Sequence, residues 1–134
     1  MRFVALVTLA LTAGCAVTPR VAMRPTDSED AELSRDVDAA LRTTLEGCGV
    51  KVVESPEKAN VVFMPRVEAV DDTTVIHVTS VRPGTQQLLG NFSLTAKGAS
   101  PGRRVKALMG RVCNEALALM PVGETATHVA LTRR

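Results

Sequence analysis

The chain has 134 residues, room for one domain and not two. Hydrophobic residues make up 46% and aromatic residues only 2%, three Phe with no Tyr or Trp. A core is therefore affordable but must be built from Val, Leu, Ala and Met, and a stacking platform for bases, sugars or flat cofactors is excluded. The net charge is +2 and Arg2 contributes to it, which removes the argument for a polyanion partner such as nucleic acid.

The chain opens with Met1-Arg2, then the uncharged apolar run FVALVTLALT, then Ala13-Gly14-Cys15. A basic start, a short apolar run and small residues at a cleavage point make the three-part export leader. The run is too short to cross a bilayer as a stable helix. Leu11-Thr12-Ala13-Gly14-Cys15 resembles the lipobox of bacterial lipoproteins. It departs from that pattern at Thr12, where the family usually has Leu. The resemblance implies lipidation of Cys15, which then becomes the first mature residue. By the same resemblance, Ala16 in place of Asp implies the outer membrane, facing the periplasm. Two other readings stay open: a leader cut near Ala16 without lipidation, and an apolar N-terminal element of a cytosolic protein. On the lipoprotein reading, residues 1–14 are signal peptide and 15–25 are the lipidated Cys and a tether. AVTPRVAMRP has two prolines and no period.

Residues 26–121 read as one α+β domain. Thr26-Asp27-Ser28-Glu29 fits a capping box. It opens a helix with Leu33, Val37, Ala40, Leu41 and Leu45 on one face, stopped by Gly47 and Gly49. Val50–Val53 is a first strand and Ser55–Lys58 a turn or one helical turn. Asn60–Val70 is a longer strand whose Pro65 points to an edge or a bulge. Asp71-Asp72 turns the chain into Thr73–Val81, rich in β-branched residues. Arg82-Pro83-Gly84-Thr85 turns it again into Leu88–Ala96. Ser100-Pro101 opens a second helix, with Ser as cap and Pro at the first helical position. Val105, Leu108, Val112, Cys113, Ala116 and Met120 line its apolar face, and Pro121 stops it. The expectation is a mainly antiparallel four-stranded sheet with two helices on one face. A fifth, edge strand would come from Val129–Leu131 in the tail, 122–134. The phrase GVKVVESPEKANVVFMPRV resembles the helix–strand–turn–strand of small periplasmic lipoprotein domains. These include the curli-secretion lipoprotein, lipoprotein activators of penicillin-binding proteins, and the N-terminal domain of the Tol system's β-propeller protein. The resemblance is architectural and implies no site residues.

Cys48 and Cys113 remain once Cys15 is lipidated, an even pair in an oxidising compartment. They read either as a disulfide or as two buried thiols; the even count favours the bond. The bond would stabilise by about 4 kcal/mol on the chain-entropy account. Their spacing fits neither a redox motif nor a metal site, and no cofactor or metal is expected. His77 and His128 are the only histidines. A general base at His77 with Asp71 or Asp72 has no nucleophile placed beside it in sequence, so an exposed strand residue is the plainer reading and no catalytic residue is assigned. Arg103, Arg104 and Arg111 fall toward the polar side of the second helix. They read as a contact for anionic lipid or an acidic partner, or as a solvated face with Arg111 set to pair with Glu115. The expected function is a non-enzymatic accessory protein of the cell envelope, held to a membrane by its lipid and partnered by another envelope protein. A component of an envelope secretion or assembly complex, and a hydrolase of envelope polymers, are the alternatives.

Overall fold

The computed structural model describes residues 18–120. Cys15 with its leader, His128 and Val129–Leu131 lie outside them. Within them, local chemistry sets each element. In helix α1 (Ala31–Gly47), Leu33, Val37, Leu41 and Leu45 are buried, a four-residue period that keeps one face inward. Its cap is Asp30, whose carboxylate accepts from the N–H groups of Glu32 and Leu33 at 3.0 and 3.1 Å. The expected cap, Thr26, is instead buried and bonded through its N–H and hydroxyl to Asp38, at 3.2 and 3.1 Å. A helix start four residues later frees Thr26 to tie the incoming chain to the side of α1. Gly49 has φ +88°, a left-handed conformation that costs glycine little. It turns the chain from α1 into β2 (Lys51–Val53).

The largest difference from expectation lies in the tether. Arg20–Met23 is not a linker but a strand, β1, set in the sheet between β2 and β3. It pairs parallel on both sides, with Val21 opposite Val52 and Val61. Four residues are too few to show a period, which is why the segment reads as a linker. Yet Val21, Ala22 and Met23 are buried. β1, α1 and β2 thus form a parallel strand–helix–strand unit, and the crossover places α1 over one face.

The chain then passes through a 3₁₀ turn (Pro56–Lys58) into β3 (Val61–Val70), β4 (Thr73–Val81) and β5 (Leu88–Lys97). These three form an antiparallel meander. The sheet therefore has five strands in the order β2-β1-β3-β4-β5, mixed in direction. Its fifth strand comes from the N-terminal side. Pro65 lies in a central strand without a bulge, at the point where β1 has ended and that side of β3 becomes locally an edge. Odd-numbered residues of β3 turn their backbone groups toward β1: the Phe63 and Pro65 carbonyls accept from Arg24 and Asp27, and Val67 donates to Asp27. At Pro65 the β1 strand has already ended, so the missing N–H breaks no ladder bond.

Helix α2 (Pro101–Ala118) packs beside α1 and over β4 and β5. Ser100 stands at its cap position with extended backbone, but its hydroxyl makes no cap bond. Val21, Phe63, Ile76, Leu94, Leu41 and Leu108 are central to the one main core. A smaller cluster, Ala22, Val62 and Val81, lies on the opposite face with Ala59 of the crossover against it. Cys48 at the end of α1 is bonded to Cys113 of α2, with 6.0 Å between their Cα atoms.

Val21 is fully buried between two partner strands. Val21→Ala should therefore lower the unfolding free energy by about 2–3 kcal/mol in urea denaturation. A tether residue would show no change.

Candidate functional site

The sheet face opposite the helices carries the polar residues of β3, β4 and β5. The register sets them in rows: Met64, Thr79 and Asn91; Arg66, His77 and Ser93; Glu68, Val75 and Thr95. In the middle row His77 Nδ1 lies 2.7 Å from Ser93 Oγ. His77 Nε2 lies 3.6 Å from Glu68 Oε2, and Glu68 accepts from Arg66. The Arg66 hydrogen bond, and then its charge, hold the Glu68 carboxyl below its ordinary value, while Glu68 raises the Arg66 guanidinium. A groove of about 370 Å³ lies beside this cluster, lined by Asp27, Met64, Pro65, Arg66, His77 and Thr79. A second hollow of about 520 Å³ opens beside the last residues of β3, between Asp27–Asp30 and Arg66–Val70.

His77 therefore has a hydroxyl and a carboxylate beside it, from two other strands. Neither Asp71 nor Asp72 is the partner; they form the β3–β4 turn, and Asp71 takes a left-handed conformation, φ 55°. Glu68 was within reach of the sequence: counting outward from the two-residue turn sets Arg66 opposite His77, with Glu68 on its diagonal. Ser93 was not, because the β4–β5 register shifts at Ser80/Val81. Hydroxyl, imidazole and carboxylate in a line can move a proton. Acyl transfer also needs converging donors for the oxyanion. In a sheet the N–H groups lie in the plane of the strands while side chains stand across it. Among the described residues no group of three or more His, Cys, Asp or Glu is placed to hold a metal ion.

The three arginines of α2 separate. Arg103 is exposed. Arg104 does not face solvent: it is only 4% exposed. Its Nε donates to Thr74 Oγ1 at 2.8 Å and its Nη1 to the Gly98 carbonyl. Residue 104 lies one turn before Leu108 on the inward side of the helix. The buried hydroxyl of Thr74 and the carbonyl beyond β5 supply the partners that a buried guanidinium requires. Arg111 stays exposed and donates to the Thr95 carbonyl at 3.3 Å, on the open edge of β5.

No family model matches the chain. No curated protein matches it either. Solved structures share its fold. The PelC dodecamer from Paraburkholderia phytofirmans superposes with a TM-score of 0.59 at 15% identity, over 70% of this chain and 85% of that chain. TolB from Acinetobacter baumannii gives 0.56 at 15% identity, over 77% of this chain and 28% of that chain. Lipoprotein GNA1162 from Neisseria meningitidis gives 0.50 at 16% identity, over 71% and 96%. At these identities the likeness is one of fold.

Arg104→Ala should cost about 2–4 kcal/mol, since it leaves buried polar partners unmet. Arg103→Ala should stay within about 0.5 kcal/mol. Urea denaturation of the two variants makes the comparison. Arg66→Ala should move the Glu68 carboxyl titration up toward its ordinary value, read by NMR. The folded carboxyl is depressed, so the pair's contribution exists above the ordinary carboxylate value and fades as pH falls. Exposure of both groups keeps that contribution small.

Proposed function

We propose that this chain is a non-enzymatic protein of the bacterial cell envelope, anchored by lipid on Cys15 and acting by docking to another envelope protein. The observation that carries the reading is a pairing. A lipobox-like LTAGC stands five residues before the first strand, and the domain behind it has a fold also found in a bacterial lipoprotein. The disulfide between Cys48 and Cys113 suits an oxidising compartment. The outer membrane is the expected site, from Ala16 after the lipobox cysteine.

The non-enzymatic reading is supported by the exposure of the Ser93–His77–Glu68 line on the open sheet face. A second reading, a subunit of an envelope assembly, is favoured by the fold shared with PelC, a protein that forms a dodecamer.

Expression of the full chain and of its Cys15→Ser variant in a Gram-negative host tests the anchor. The unaltered chain should lose residues 1–14, gain a diacylglyceryl group and an acyl chain on Cys15, and sediment with outer membranes. Cys15→Ser should leave the membrane fraction. An unprocessed mass in the cytosol would overturn the reading.

A further inference from the structure

The sheet has two ends with different surfaces. At one end lie the starts of β1, β2, β3 and β5 and the end of β4, as Arg20–Lys51, Val21–Val61 and Val81–Leu88 pairings fix. The last turn of α2 reaches the same end, where Leu119 meets Gly90. At the other end lie the Asp71-Asp72 turn, Lys97 and the start of α2. The nine residues of β4 span the two ends, eight steps or about 27 Å.

The first end exposes Arg20, Lys51, Lys58 and Arg82, against the carboxylates of Glu46, Glu57 and Glu115. Lys58 belongs there because the Asn60 N–H bonds the Arg20 carbonyl and the Arg20 N–H bonds Asn60 Oδ1. Leu88 and Leu117, 58% and 40% exposed, are at this end. They are two of the three large exposed hydrophobics among the described residues; the third, Val70, sits at the far end. That far end gathers Asp27, Glu29, Asp30, Asp71 and Asp72 against Arg66, Lys97 and the cations that open α2, Arg103, Arg104 and Lys106. The molecule thus carries its exposed leucines with an excess of cations at one pole, and carboxylates and cations in near balance at the other.

The chain enters the fold at the basic pole. Four residues separate Cys15 from Arg20, five Cα–Cα steps with a reach of at most about 18 Å. We infer that this pole is a membrane-contact surface, which seats Arg20, Lys51, Lys58 and Arg82 among anionic phospholipid headgroups and dips Leu88 and Leu117 toward the acyl boundary. The inference rests on the lipid-anchor reading. Basic side chains gain from the negative potential of such a surface within a Debye length, and exposed leucines gain by leaving water. The far pole, where carboxylates offset the cations and no exposed leucine stands, gains little there and points away. It follows that Arg103 and Arg104, at the start of α2, stand at the pole away from the bilayer and are not the lipid contact.

The chain has no Trp, so a single introduced indole reports its own surroundings. L88W and V70W are made in the full-length chain and reconstituted into vesicles of phosphatidylglycerol and phosphatidylcholine with brominated acyl chains. Quenching of the L88W indole should exceed that of V70W at least threefold. It should fall when phosphatidylglycerol is withdrawn or when K51E/R82E is added. T85W, in the β4–β5 turn next to Leu88, serves as a second reporter should L88W disturb folding. Equal quenching at both poles, stronger quenching at V70W, or contrast indifferent to phosphatidylglycerol would each overturn the inference. Intact mass and cosedimentation read the anchor separately. A lipidated, sedimenting chain with L88W unquenched defeats this surface alone; a chain without lipid that stays in the supernatant defeats both readings.

Discussion

The rest of the structure hangs on the insertion of one four-residue strand between two others. Arg20–Met23 has parallel partners on both sides, and Val21 stands opposite Val52 and Val61 at once. Remove it and the three-residue β2 has no neighbour, since β2 lies at the edge and touches the sheet only through β1. The core would also lose Val21 and Met23, at roughly 1.5–3 kcal/mol for each buried side chain. Parallel pairing requires a crossover, and that crossover is α1. The insertion therefore also decides which face the first helix covers.

Two further ties hold the helix layer to this sheet. The disulfide joins the end of α1 to the middle of α2. At the other end of α2, Arg104 reaches under the helix to Thr74 and to the Gly98 carbonyl. Thr74 is fully buried, and its hydroxyl would be orphaned without that guanidinium. With one face covered in this way, the opposite face stays open over β3, β4 and β5. The polar row of Arg66, His77 and Ser93 lies there because side chains alternate along a strand.

The same insertion orients the molecule. Because β1 runs from its first residue into the centre of the sheet, the chain enters at the pole of Arg20, Lys51 and Arg82. An anchor on Cys15 would hold that pole to a bilayer and turn the pole of the Asp71-Asp72 turn outward. The hollow beside the last residues of β3 would then face away from the membrane. A shared fold with PelC and GNA1162 carries no residue of theirs to this chain. Its own surfaces must explain what it binds.

The elements with a long period were legible in the sequence. Leu33, Val37, Leu41 and Leu45 mark α1, and the β-branched run Thr73–Val81 marks β4. The two-residue turn at Asp71-Asp72 sets Arg66 opposite His77 without any structure. These are local facts, decided by side-chain spacing and turn geometry within a few residues. What the sequence could not decide was every placement that depends on a distant partner. Arg20–Met23 is too short to declare itself, and becomes a strand only because β2 and β3 offer ladders on both sides. Arg104 has the inward spacing of Leu108 and Val112, but its charge reads as a surface residue, and it stays inside only because Thr74 and Gly98, thirty and six residues away, supply its partners. Ser93 meets His77 only after the register shift at Ser80/Val81. Period and turn chemistry determine elements; burial, and the need to satisfy each buried polar group, determine where those elements and side chains end up.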